Sequence, residues 1–420
     1  MRMTFSHIDH CRLCFGRDLV TGLDLGEQVL AGTFPKDQLD DIPAVPLALC
    51  RCQDCGAVQL TTTVDKELLF RDGYGYRTGL NGSMVKHVED IVHEAEEIAG
   101  LQQGDLVLDI GANDGTLLGA YRTKGIARLG IDPCSIHFSD HWPLDVTFVS
   151  KFFSAAVFNE ASPNAKAKIV TSLAMFYDLD DPIHFAKEVA SCMTDDGIWI
   201  TEQSYFPALV SANSFDTVCH EHLEYYTVKD LNRIAHAAEL KIVGLAFNGT
   251  NGGSVCVTFA KGSHPHIEES REIVHSAIAI ENATGFATNH ALELLAARIE
   301  FQCGNLFDLL KSMKQNGKKV LGYGASTKGN VLLQHAEIGI DLIPAIAEVN
   351  ERKFGCFTPG TLIPIISEAE ARAMKPDYFL VLPWHFKNAI IDREREFLKA
   401  GGALIFPLPG VQIYRDGDPR

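Results

Sequence analysis

The run Val-Leu-Asp-Ile-Gly-Ala-Asn-Asp-Gly-Thr at 107–116 constrains this chain more than any other stretch. Val107 to Ile110, four mostly apolar residues, have the length and character of a strand buried in a parallel sheet. Gly111, Ala112 and Gly115 then make a tight turn of small residues into a helix. Backbone N–H groups can approach a ligand closely there, and the helix N-terminus adds a positive field. A second apolar strand, Ala127–Ile131, ends in Asp132, and an acid at that place can accept hydrogen bonds from both hydroxyls of a ribose. Together these features predict an α/β fold, a doubly wound sheet that binds a nucleoside cofactor.

The loop also narrows the cofactor. A dinucleotide site wants G-x-G-x-x-G so that a pyrophosphate can sit on the helix N-terminus. Here the loop is Gly111-Ala112-Asn113-Asp114-Gly115, and Asp109 and Asp114 would repel a pyrophosphate while tolerating a sulfonium with an amino-acid tail. The loop resembles motif I of class I methyltransferases, which bind S-adenosylmethionine. That resemblance implies cofactor contacts from Asp109, Gly111, Asn113, Asp114, Gly115, Asp132 and, at the end of the third strand, Leu173. An ordinary α/β turn that binds nothing is the competing reading, weakened by Asp132 and by Asp178 after the third strand.

At 420 residues the chain has room for two or three domains. Apolar residues make up 46% and charged residues 22%, the balance of a soluble globular protein, and no apolar run approaches the roughly 20 residues of a membrane span. The opening MRMTFSHIDHC has no apolar signal core, so a cytoplasmic location is the expectation. A net charge of −17 without a basic stripe argues against nucleic acid as partner. Oligomeric state is open, a monomer being compatible with everything in the chain. Five of eleven cysteines fall in the first 55 residues, as Cys11-x-x-Cys14 and Cys50-x-Cys52-x-x-Cys55. Two such knuckles point to a structural zinc held by Cys11, Cys14, Cys52 and Cys55, with His10 and Cys50 as conceivable substitutes. Reduced cysteines without metal are the alternative.

Beyond residue 72 the pattern changes. A helix carries Met84, Val88, Ile91, Val92, Ala95 and Ile98 at helical spacing, and strands then alternate with helices at Val107–Ile110, Ala127–Ile131, Lys168–Leu173 and Gly197–Gln203. Leu240–Phe247 and Gly253–Phe259 read as an antiparallel pair around Asn251-Gly252-Gly253. Residues 264–316 read as a spacer or bracing helix pair. A second α/β unit begins at Lys319–Tyr323, whose small-residue loop GYGASTKGN (322–330) again precedes a helix. The resulting division is 1–72 zinc-binding, 73–262 methyltransferase-like, 263–316 helical connector and 317–420 a second Rossmann-like unit.

The run Phe215 to Tyr226, FDTVCHEHLEYY, is dense in titratable groups and follows the fourth strand, on the sheet edge where such folds bind substrates. A general base needs a pKa near neutrality and a partner that fixes its tautomer, which His222 with Glu221 or Glu224 offers. A metal site of HxH type and a solvated helix start are the other readings. With EQSYFP (202–207), NGGS (251–254), LPWHF (382–386), the tyrosine segment DGYGY (72–76), the zinc knuckles and both glycine loops, the whole chain resembles the nucleotide-sugar C-methyltransferases of deoxysugar pathways.

The resemblance implies a zinc-binding N-terminal domain, a central methyltransferase and a Rossmann-like domain for the nucleotide sugar. It implies carbon methylation of a nucleoside-diphosphate-linked 4-keto sugar at C3. In that chemistry His222 takes the C3 proton, Glu221 orients the imidazole and Tyr76 bonds the enolate oxygen, with His220 as the next candidate base. Substrate contacts are then expected from Tyr74, Tyr76, Asn251, Gly324, Ser326, Lys328, Glu348, Lys353 and Trp384, the helix N-terminus and Lys328 serving the diphosphate. Two positions depart from members that act on antibiotic sugars. Cys219 stands where they have a tyrosine before the His-Glu-His run, and Met175 where they have a histidine. Methylation of oxygen or nitrogen, and a non-catalytic zinc-stabilised nucleotide-binding scaffold, are the competing functions.

Overall fold

The computed structural model describes residues 5–37, 42–70 and 76–419. Strand β1 (Phe5–His7) pairs with β5 (Thr62–Val64), while β2 (Leu19–Val29), β3 (Ala44–Cys52) and β4 (Val58–Leu60) form an antiparallel sheet. The centre is a seven-stranded sheet of β6 (Leu106–Ile110), β7 (Ala127–Ile131), β8 (Thr147–Val149), β9 (Ala167–Leu173), β10 (Met193–Ser204), β12 (Leu240–Asn248) and β13 (Ser254–Lys261). Its order is β12-β13-β10-β9-β6-β7-β8, and β13 runs antiparallel to both neighbours. All five residues of β6 are buried, as a strand covered by helices on both faces requires.

Helix 82–99 covers one face through Met84, Val88, Ile91, Val92, Ala95 and Ala99; Asn81 caps its start and left-handed Gly100 its end. Ile98, expected on that stripe, is 38% exposed: the stripe steps by four from Ala95 to Ala99 and leaves it on the flank. The connector is indeed a helix pair, Arg271–Ala283 and His290–Gln315. The longer helix packs Leu292, Leu295, Ile299 and Leu306 into a core shared by β2–β4, residues 206–225 and the C-terminal unit. That unit is a six-stranded sheet of β14 (Val320–Tyr323), β15 (Ile346–Glu348), β16 (Ile365–Ser367), β17 (Tyr378–Val381), β18 (Ala403–Phe406) and β19 (Gln412–Tyr414), in the order β16-β15-β14-β17-β18-β19. This is the dinucleotide-fold order, with its edge strand β19 antiparallel.

One strand crosses between units. β11 (Glu224–Tyr225), from the titratable run after β10, pairs with β4 and completes the N-terminal sheet as β11-β4-β3-β2. Among the described residues no helix is long and apolar enough to cross a membrane.

Candidate functional site

Four cysteines converge at the N-terminus. The Sγ atoms of Cys11, Cys14, Cys52 and Cys55 all lie within 4.8 Å of one another, with Cys11 to Cys55 at 3.6 Å and Cys14 to Cys52 at 3.5 Å. Tetrahedral zinc with Zn–S bonds of about 2.3 Å needs sulfurs roughly 3.8 Å apart, so the donor set fits. Gln59 Nε2 donates to Cys11 Sγ at 3.2 Å, and the Leu13 and Gly16 amides donate to Cys11 and Cys14 at 3.4 Å. Exposed His10 is bonded to Asp9, and buried Cys50 lies outside the four. Four thiolates leave no open position, which makes the zinc structural.

The cofactor loop lies at the switch point between β6 and β9, where strand order reverses and ligands bind. Gly111 has φ 77°, and a Cβ there would lie 3.0 Å from Met175 Cγ; left-handed backbone and close approach both demand glycine. Asp132 sits at the tip of β7, its Oδ2 accepting from the Asn113 amide at 2.8 Å and its Oδ1 from the Cys134 amide at 2.5 Å. A carboxylate has about four acceptor positions, so these amides leave acceptor capacity for a ligand donor.

The neighbouring acids correct the sequence reading. Asp109 accepts from Thr171 Oγ1 at 2.6 Å, and burial raises its pKa to about 7. Asp114 accepts from the Gly79 amide at 2.9 Å and Thr116 Oγ1 at 2.6 Å. Asn113 accepts from the Thr78 amide and donates to the Tyr76 carbonyl. These side chains hold the loop together and press residues 76–80 onto it, because buried polar groups must find partners. Tyr76, the described end of the tyrosine segment, is thereby seated beside the cofactor loop. Tyr76 is 48% exposed as a residue, yet desolvation of its phenol pushes the pKa up to about 12. Tyr74 lies outside the described residues. Leu173 ends β9, half-buried against the core under helix 82–99.

His222 is the half-buried histidine of the run, and its Nε2 has no hydrogen-bond partner among the described residues. Its Nδ1 donates to the Thr217 carbonyl at 2.7 Å, which fixes the tautomer and leaves Nε2 with a free lone pair, and its ring lies 4.1 Å from that of Tyr177. Burial, then the Lys328 ammonium, lowers its pKa to about 3. The expected Glu221 support is not formed. The Glu221 carboxylate turns to the N-terminal domain, where a Cβ on Gly32 would lie 2.2 Å from its Oε1, and burial raises its pKa. His220 is also corrected: fully buried, it donates from Nε2 to the Val45 carbonyl at 3.0 Å, and burial lowers its pKa to about 4. It braces β3 rather than facing a substrate.

The C-terminal unit closes this region. Gly324, at φ 80°, turns the chain from β14, and Ser326 caps the following helix by accepting from the Gly329 amide. Glu348 accepts from the amides of Ala325, Val349 and Asn350, the arrangement Asp132 makes with its own loop. Lys353 donates to the Ala325 carbonyl at 2.8 Å and lies over the Phe34 ring at 4.2 Å. Both side chains thus support the loop, where the sequence suggested substrate contacts. Trp384 Nε1 donates to Asp216 Oδ2 at 2.8 Å. Lys328 Nζ crosses to the carbonyl of left-handed Asn251, at 2.7 Å. Sequence reading missed Thr217, which acts through a backbone carbonyl and has no side-chain signal. It also missed Asp216 as a member of the seam, although that residue stands inside a run it quoted.

A glycine loop at the switch point, a buried acid at the tip of the next strand and an antiparallel β13 define a class I S-adenosylmethionine-dependent methyltransferase. Three family profiles match in order: "Putative zinc binding domain" over residues 11–70, "Methyltransferase domain" over 83–245 and "C-methyltransferase C-terminal domain" over 249–409. C-methyltransferase NovU from Streptomyces niveus is 31% identical over 410 residues, 97% of each chain. The chain belongs to this family of three-part, zinc-binding C-methyltransferases. Solved structures similar to part of it include a methyltransferase from Clostridium acetobutylicum (12% identity, TM-score 0.33, covering 42% of this chain and 92% of that one). Another is magnesium protoporphyrin IX methyltransferase from Synechocystis with bound S-adenosylmethionine (15% identity, TM-score 0.31, covering 42% and 79%).

Proposed function

We propose that this enzyme methylates carbon 3 of a nucleoside-diphosphate-linked 4-keto-deoxysugar through an enolate. One observation carries the reading: a neutral imidazole, His222, held by Thr217 with Nε2 free and within electrostatic reach of Lys328 in the second Rossmann-type loop. A ketone acidifies the carbon beside it. His222 Nε2 takes that proton, and the resulting carbon nucleophile receives the methyl group that S-adenosylmethionine supplies when bound at Asp132 and the 111–115 loop. The amides that open the helix at Thr327 have no intrahelical acceptors, and they suit the sugar diphosphate.

The test is a panel of dTDP-, GDP-, CDP- and UDP-linked 4-keto-6-deoxyhexoses. Support consists of S-adenosylhomocysteine formation, a new C-methyl resonance at C3, and cofactor-free exchange of the C3 proton in deuterated water. An O- or N-methyl product, or no S-adenosylhomocysteine with any sugar, overturns the reading.

A further inference from the structure

Lys328 does something in the fold that a diphosphate ligand would not require. It belongs to the C-terminal loop, yet its ammonium leaves that loop and crosses the seam to the Asn251 carbonyl, 2.7 Å away in the turn between β12 and β13. An ammonium has three donors, and Asn251 is its hydrogen-bond acceptor among the described residues. Asp216 and Cys219 lie within electrostatic reach; the Asp216 Oδ2 accepts from the Trp384 indole, and its Oδ1 is buried without a hydrogen-bond partner among the described residues. The same ammonium acts on both His222 and His385. His385 Nδ1 is buried and has no hydrogen-bond partner among the described residues.

We propose that Lys328 is a catalytic residue that stabilises the enolate oxygen formed when His222 takes the proton next to the ketone, a role that rests on the reading under Proposed function. The bookkeeping is simple. The C–H electron pair becomes the C=C bond, the carbonyl π pair moves to oxygen, and the ammonium hydrogen-bonds that oxyanion. When the C=C pair forms the new bond to the methyl carbon, the S–CH3 bond breaks and its pair stays on the sulfur of the departing S-adenosylhomocysteine. The pair on oxygen returns and the carbonyl is restored. His222 then releases its proton to solvent. A preorganised donor in a dry site is well suited to such developing charge.

The experiment separates chemistry from binding in Lys328→Met and Lys328→Gln. With the panel sugar that exchanges fastest in the wild type, cofactor-free deuterium incorporation is measured at saturation, and the sugar's dissociation constant by calorimetry. Loss of one oxyanion donor should slow saturated exchange by about 10²–10³-fold, with the dissociation constant within about threefold of wild type. Lys328→Gln keeps a donor for the Asn251 carbonyl but no charge, so a mere latch would survive it; exchange restored in that variant overturns the proposal. So does near-normal saturated exchange with affinity weakened tenfold or more in either variant, which would place the ammonium on the diphosphate. Should Lys328→Met not fold, Lys328→Gln alone decides. A wild type that exchanges no proton with any panel sugar removes the underlying reading and this one with it. Wild-type exchange left unaltered by both substitutions removes this one alone.

Discussion

His222 and His220 stand two residues apart, and burial lowers both pKa values, yet they do different work. His222 keeps Nε2 free, so His222→Asn should preserve folding and both binding events while lowering turnover by about 10²–10⁴-fold. Cofactor-free exchange should fall in parallel, and unchanged exchange would move the base elsewhere. Desolvation and Lys328 hold the free enzyme's imidazole near 3, and a bound diphosphate adds negative charge that raises it. The acid limb of kcat should therefore lie at higher pH than that of kcat/KM, because the first reports the complex and the second the free enzyme. His220 affects stability instead. Its folded pKa of about 4 lies below the unfolded value near 6.5. The unfolded chain thus binds the extra proton between those values, and stability is lost as pH falls through that window. In His220→Gln that loss should shrink by up to about 1.4 kcal/mol per pH unit, read as a variant-to-wild-type gap in melting temperature that changes steadily between pH 6.5 and 5.

Two loops of unrelated sequence share one device. In each Rossmann-type unit an acid at the end of the second strand accepts amide hydrogens from the glycine loop beside it, Asp132 for residues 111–115 and Glu348 for residues 324–328. Asp132→Ala should weaken S-adenosylmethionine by about 1.5–3 kcal/mol, roughly 10- to 100-fold in dissociation constant. Glu348→Ala should leave that constant within about threefold and weaken the nucleotide sugar instead. Calorimetric titration of both variants with both ligands checks this, and an unaltered cofactor affinity in Asp132→Ala would count against the ribose role. The strands, loops and both acids were legible because small-residue turns and apolar runs are local signals. The distant partners of Asp109, Asp114, Glu348 and Lys353 were not: Thr171, Gly79 and, for the last two, Ala325 are brought close only by folding.

At the scale of the whole molecule the zinc domain and the catalytic segment are one structure. β11 lies in the N-terminal sheet, the Leu60 amide donates to the Leu223 carbonyl at 2.9 Å, and buried Arg12 joins Asp180 to β4 and β5. Elemental analysis should find about one zinc per chain. Stripping it should lower the melting temperature and cut turnover, because the strand after His222 loses its neighbour. Cofactor affinity should change less, since the 111–115 loop and Asp132 take their hydrogen bonds from residues 76–80 and from within the central unit. Full turnover in zinc-free protein would show that the two regions are independent.

Local chemistry by itself determined the α/β class, the two glycine loops, the four zinc cysteines and the concentration of titratable groups in the His-Glu-His run. All of these depend on residues near one another in sequence, where periodicity, turn geometry and ligand spacing act directly. Tertiary structure decided which histidine is free, what holds it, and where Lys328 points. Those outcomes turn on the competition of buried donors and acceptors for partners far along the chain: Val45 for His220, Gly32 for Glu221 and Asn251 for Lys328. A buried polar group takes whichever partner the packed core presents, and short-range pattern carries no record of that choice.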